Sequence, residues 1–200
     1  MTAGEARQLL EDMVDQEQSL VNRINAISRQ MSQAPKVLLD ELDQQSRHHA
    51  KQLMDIVSAL KSWPTIKMVG EKAVQAAWLI SQHAVMMTGI RETICDLMKT
   101  AADQGNIPGW HFPFYYDRVQ QLQGKPQKFG TQMMMHSHGY PVPYDLEDHM
   151  MVDQWRAQYG LPSLQEALKQ LIDVVGLVPD EESTQYDMYV GKVGNTNTAI

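Results

Sequence analysis

The chain has 200 residues, enough to bury one sizeable core, and its apolar content of 43% and charged content of 20% are those of a globular protein. A formal net charge of −7 argues against a nucleic-acid partner, which needs clustered Lys and Arg to displace counterions. The single cysteine, Cys95, rules out an internal disulfide and fits a reducing, cytoplasmic compartment.

The N-terminal residues MTAGEARQLLEDM carry acids where a secretory signal would have a basic region and then an apolar run. They read instead as a helix whose start, Thr2 and Glu5, has capping-box spacing. Leu10, Met13, Val14, Val21, Ile24 and Ile27 continue it as an apolar stripe. A break at Ser32 to Pro35 leads into a second helix that buries Leu38, Leu42, His49, Leu53, Ile56, Val57 and Leu60 on one face. A break this short makes antiparallel neighbours. Of the adjacent pair His48 and His49, only His49 falls on the stripe, and it reads as a core histidine bonded to a backbone carbonyl. Residues 1–61 thus form a helical hairpin packed on the rest.

Ser62 to Gly70 (SWPTIKMVG) is a connection, with Pro64 forcing Trp63 out of helical geometry and Gly70 free to take a backbone shape other residues cannot. The stretch from Gly70 to Met98 follows, uncharged between Ala73 and Ile90 if His83 is neutral. Apolar on nearly every side, it predicts a buried central helix over about 70–100. Gln75, Ser81, Gln82 and His83 make it a poor membrane span. Gly89 weakens it by roughly 1 kcal/mol relative to alanine, so close approach of another element is expected there. Cys95, among Ile94, Leu97 and Met98, reads as a buried, inert thiol. The 14 methionines read as filling irregular gaps in a helical core.

After the loop Asp103 to Gly109, a helix over Trp110 to Gln123 turns Phe112, Tyr115, Tyr116, Val119 and Leu122 inward and stops at Gly124. Gln127 to Met135 alternates as a strand, with Phe129, Thr131, Met133 and Met135 on one face. His136 to Gly139 makes a turn, and Tyr140 to Tyr144 returns as an edge strand with Pro141 and Pro143 unpaired. Two short helices, about Asp148 to Tyr159 and Leu164 to Val175, end the folded part, the second opened by a Ser163–Glu166 capping box. The fold class is therefore mainly α: five to six helices around the central helix with one small antiparallel β-hairpin (about 127–145). The domains read as 1–61, then 62–176, then an acidic and polar tail, 177–200.

No catalytic signature stands out: there is no phosphate-cradling glycine loop, no paired cysteine cluster and no His-Glu-x-x-His helix. His136 and His138 could bind a metal together, but read as decoration of a turn, and no metal or other cofactor is expected. The better constellation is Gln82, His83, Asp117, Arg118, Gln127, Thr131 and Gln132. A histidine transfers protons at neutral pH, an aspartate holds or charges it, an arginine offers a planar fork to an anion, and the amides supply donors and acceptors. The same residues could equally form a satisfied buried network that fixes the fold.

The runs WPTIKMVGEKAVQAAWLISQHA, YYDRVQQLQGKPQKFGTQ and VPYDLEDHMMVDQWRAQYGLPSLQEAL resemble the bacterial "domain of unknown function 6624" family. The family's short motifs fall in order on Trp63-Pro64, Val69-Gly70, Ala76-Ala77-Trp78, Gln82-His83-Ala84, Asp117-Arg118-Val119, Gly124 to Gln132, Pro143 to Asp145 and Gly160-Leu161, over roughly residues 38–168. Two positions depart from the pattern: Val85 stands where an acid is usual, and Phe129 where a tyrosine is usual. The resemblance implies that Gln82, His83, Asp117, Arg118, Thr131 and Gln132 belong to one site, and it carries no reaction.

Two functions of different class follow. The first is an enzyme acting on a small polar metabolite or peptide, with His83, Asp117 and Arg118 catalytic and Trp78, Gln82, Gln127, Thr131 and Gln132 holding the ligand. The second is a non-catalytic ligand-binding or interaction protein whose polar motifs are architectural. In that case the amphipathic helix Glu5 to Gln30 would pair with a partner or a second copy of the chain.

Overall fold

The computed structural model describes residues 1–31, 34–135 and 141–175. Among them are eight helices and two strands: α1 (Ala3–Met31), α2 (Lys36–Leu60), α3 (Ile66–Val69), α4 (Glu71–Ala84), α5 (Thr88–Asp103), α6 (His111–Leu122), β1 (Met133–Met135), β2 (Pro141–Pro143), α7 (Val152–Gln158) and α8 (Leu164–Val175). The fold is mainly α with one small antiparallel sheet, as the periodicity predicts. The chain forms two compact units, residues 1–108 and 109–200.

In the first unit α1 begins at the expected capping box: Glu5 N–H donates to Thr2 Oγ1 at 3.2 Å and Thr2 N–H to Glu5 Oε2 at 2.7 Å. Its inward stripe is Ala6, Leu10, Met13, Glu17, Leu20 and Ile24, spaced alternately four and three, so one side faces the core throughout. Arg23 pairs with Glu41 and Glu17 with His49, which fixes α1 and α2 as the antiparallel pair expected of so short a link. Lys72 reaches Glu11 and His83 reaches Glu17, so α4 runs in the same sense as α1. Trp63 and Pro64 are buried in the link after α2. Gly70 joins α3 to α4 at φ 84°, ψ 163°, a conformation essentially confined to glycine.

The long central helix is not continuous. α4 ends at Ala84 and α5 starts at Thr88, with Met87 N–H bonded to Ala84 O at 2.8 Å. Val85, Thr88 and Gly89 are weak helix formers set close together. The buried Arg91 then donates its Nε–H to Val85 O at 2.8 Å, satisfying a carbonyl the interrupted ladder leaves open. Among the described residues a Cβ at Gly89 would find nothing within 4 Å. Its place is the first turn after the break, not a close approach.

In the second unit β1 and β2 pair antiparallel, Met133 opposite Pro143, Met134 opposite Val142 and Met135 opposite Pro141. Met133 packs on a small core of Leu146, Val152, Leu164 and Leu168, so the hairpin leans on the last two helices. β1 is far shorter than the alternation of residues 127–135 predicts. Gly130, at φ 62°, turns the backbone out of the extended region, and the residues before Met133 form a loop. α7 also starts four residues later than expected, because Asp148 Oδ1 takes the N–H groups of Met150 and Met151 and holds a turn there. α8 opens at the predicted box, Glu166 N–H donating to Ser163 Oγ and Ser163 N–H to Glu166 Oε2. His136, His138 and Tyr140, and the tail 177–200, lie outside the described residues.

Candidate functional site

The residues singled out by sequence fall in both units, and each unit gathers its own set. In the first, Trp78, Gln82 and His83 lie on α4. Gln82 is buried and Trp78 half-buried, while His83 keeps 42% of its side chain exposed. The imidazole expected in the apolar middle of a helix therefore stands at the surface, at the last full turn before the break.

Its inner nitrogen is held. Nδ1 of His83 hydrogen-bonds Glu17 Oε2, and Nδ1 of His49 hydrogen-bonds the other carboxylate oxygen, Oε1, at 2.9 Å. An ionised carboxylate only accepts, so the hydrogen in each of these bonds sits on Nδ1. Glu17 and His49 are sealed, with 4% and 2% of their side chains exposed. Burial pushes the Glu17 carboxyl up, but the hydrogen bonds from His49 and His83 outweigh it and hold the group at about 2. His49 Nε2 lies 3.3 Å from Gln16 Oε1. Its partners are thus a carboxylate and an amide rather than the backbone carbonyl expected.

Glu17 does not appear among the sequence-predicted site residues. The signal was present in spacing: a single acid occupies a position of the inward stripe between Met13 and Leu20. Charge at such a position is expensive unless paired, and two histidines supply the pairing.

The second unit gathers Asp117, Gln127, Thr131 and Gln132 into one network. Asp117 is fully buried on α6. Its Oδ1 accepts from Lys128 N–H at 2.8 Å and Phe129 N–H at 3.0 Å, and its Oδ2 from Thr131 N–H and Thr131 Oγ1–H, both at 2.9 Å. Burial raises the Asp117 carboxyl above its ordinary range against the pull of these donors. Gln127, equally buried, donates from Nε2 to Gln132 O and Tyr144 O and accepts Gln132 N–H on Oε1, each at 2.9 Å. The Gln-x-Phe-Gly-Thr-Gln run is thus a loop wound on a carboxylate and stapled by an amide.

Arg156 closes that loop from the other side, donating from Nη1 to Phe129 O at 2.6 Å and from Nε to Pro162 O at 2.7 Å. Gln132 Nε2 reaches Thr131 Oγ1 at 3.2 Å. Arg118 is half-buried, its guanidinium pKa lowered by burial.

The two departures from the family pattern are both accommodated by packing. Phe129 sits among Phe112, Tyr116 and Tyr159 at centroid distances of 5.9, 5.8 and 5.6 Å, an apolar cage that asks for no hydroxyl. Val85 is buried with 1% exposure and offers its carbonyl to Arg91. The half-buried Cys95 thiol is pushed up to about 12, chiefly by burial and then by Asp96 and Glu92, which keeps it protonated and inert. Among the described residues no group of three or more His, Cys, Asp or Glu is placed to hold a metal ion, and no helix is long and apolar enough to cross a membrane.

No curated protein and no solved structure matches the chain. A match to the family of unknown function DUF6624 extends over residues 5–179, beyond the span of the short motifs at both ends and including α1 with Glu17. The chain belongs to that family of unknown function, DUF6624.

Proposed function

We propose that the protein is an enzyme acting on a small polar metabolite or peptide, with His83 as its general base and acid and Glu17 as the group that orients it. The observation that carries this reading is the asymmetry of the His83 imidazole: Nδ1 is tied to a buried carboxylate while the ring stays 42% exposed. A neutral histidine whose Nδ1 carries the hydrogen has its lone pair on Nε2. The carboxylate fixes the tautomer, restrains the ring and stabilises the imidazolium formed when Nε2 takes a proton. His49 shares the same carboxylate from the sealed side, which locks Glu17 in place. On this reading Asp117, Thr131 and Gln127 shape the fold of their unit and transfer no proton.

The test is a comparison of wild type with His83→Ala and Glu17→Gln in a polar metabolite and dipeptide extract followed by mass spectrometry. Conversion of a component by wild type, lost in His83→Ala and slowed about 100-fold or more in Glu17→Gln, supports the reading. Conversion that survives in His83→Ala overturns it. So does an extract left unchanged by wild type, which favours the reading in which Glu17, His49 and His83 only lock three helices in register.

A further inference from the structure

Arg156 on α7 holds the loop wound on Asp117, yet those bonds use only part of its chemistry. Its side chain is buried, with the residue 3% exposed, and the acceptors it meets, Phe129 O, Gly130 O and Pro162 O, are neutral carbonyls. Carbonyls ask for donors, not for a full charge, and a buried charge is costly unless paired. Among the described residues no carboxylate forms an ion pair with Arg156. Asp117 is committed to the N–H groups of Lys128, Phe129 and Thr131, and Asp153 accepts from Leu164 N–H. Burial lowers the guanidinium pKa, and Asp153 and then Asp117 oppose it from further off.

The end of Arg156 that those bonds leave over is Nη2, which carries two further hydrogens. Among the described residues none accepts them, and Nη2 is not one of the unpartnered atoms sealed from solvent. The side chain borders a cavity of about 420 Å³ within the second unit, a volume in the range of small-molecule sites. The walls are mainly apolar, with Phe114 on α6, Leu161 ahead of α8, and Ala167, Leu171 and Val174 on α8. Arg156 is the one charged side chain among the described residues that line it. Thr131 commits its hydroxyl hydrogen to Asp117, so Nη2 and the exposed Gln170 amide are the donors that remain. A single cation matches the single charge of a carboxylate rather than the double charge of a phosphate monoester. The apolar walls suit the rest of such a molecule.

We propose that this cavity binds a small carboxylate with an apolar body, the carboxylate accepting from Arg156 Nη2 and the body lying against Phe114, Leu161 and Leu171. The site lies within the second unit and is independent of the proton-transfer reading of His83.

The test is a titration of the full chain, carrying labelled methyl groups, with phenylbutyrate, phenylbutyramide and acetate. The expected result is saturable binding of phenylbutyrate at millimolar concentration, with ring-current shifts of the Leu171 methyl resonances, assigned through Leu171→Ile. Phenylbutyramide keeps the body without the charge and acetate the charge without the body, so each should bind about tenfold more weakly or worse. Ala167→Phe fills the cavity while leaving the bonds of Arg156 in place, and should weaken phenylbutyrate about tenfold or more. Val174→Glu, at an exposed position, should weaken phenylbutyrate and leave phenylbutyramide unaffected. Far-ultraviolet circular dichroism reports that each variant is folded, and Val174→Glu alone decides the matter if Ala167→Phe is not. The proposal is overturned if phenylbutyrate does not saturate, if the Leu171 methyls do not move, if phenylbutyramide binds as tightly, or if Val174→Glu or a folded Ala167→Phe binds phenylbutyrate like wild type.

Discussion

Glu17 on α1 receives a hydrogen bond from Nδ1 of His83, 66 residues further along the chain, while its other oxygen is taken by His49 on α2. One buried carboxylate thus joins three helices, and only one of its two histidines reaches water. The consequences for stability differ sharply between Glu17 and His83. Glu17→Ala leaves His49 sealed without its partner and should cost about 3–5 kcal/mol. His83→Ala removes a part-exposed ring and should cost only about 1 kcal/mol or less. Chemical denaturation of both variants checks the ranking, and equal losses would contradict it.

The same carboxylate predicts an acid transition. Its folded pKa of about 2 lies below the ordinary value of 4.5. A depressed acid contributes stability that is fully present above its unfolded pKa and is lost as pH falls through the folded one. Wild type should therefore lose stability between about pH 4.5 and pH 2, and Glu17→Gln should be less stable at neutral pH with a flatter dependence over that window. Urea midpoints measured down the pH series check both slopes.

A third expectation concerns the loop wound on Asp117. Asn in place of Asp117 puts an amide donor against N–H groups and should cost about 2–4 kcal/mol. Gly130→Ala should cost about 1–3 kcal/mol, because φ there is 62° and the new Cβ would lie 3.0 Å from Leu164 Cδ1. Thermal unfolding of each variant is the measurement. A neutral Asp117→Asn would mean that the carboxylate is not what holds the loop.

These sites also show what was legible before the structure. Elements whose determinants are local were: the two capping boxes, the glycine link at Gly70, the full extent of α8, and the antiparallel pairing of the first two helices. The break at Val85–Met87 was not, because its weak helix formers sit inside an apolar run that hides them. Residues 127–132 alternate like a strand, yet the backbone N–H groups of Lys128, Phe129 and Thr131 are claimed by Asp117, at least 11 positions earlier, and alternation carries no record of that. His83 was found by its chemistry. Its partner Glu17 is less legible, because an acid on a long charged helix reads as solvated until the four-and-three spacing is followed through it.

The lone thiol gives a fourth prediction. With its pKa pushed up to about 12, Cys95 should react with a disulfide reagent at pH 8 at least about 100-fold more slowly in the folded protein than in denaturant. Comparable rates would show the thiol to be open.

His83 can act as a base at Nε2 only with a hydrogen at Nδ1 and a lone pair at Nε2, and long-range proton–nitrogen correlation spectra of the imidazole rings read that arrangement directly. When its ring is neutral, His83 should show the Nδ1–H tautomer, and Glu17→Gln should release it toward the Nε2–H form that free histidine prefers. A His83 ring found as the Nε2–H tautomer in wild type, or unchanged by Glu17→Gln, would contradict the claim that Glu17 prepares it for proton transfer.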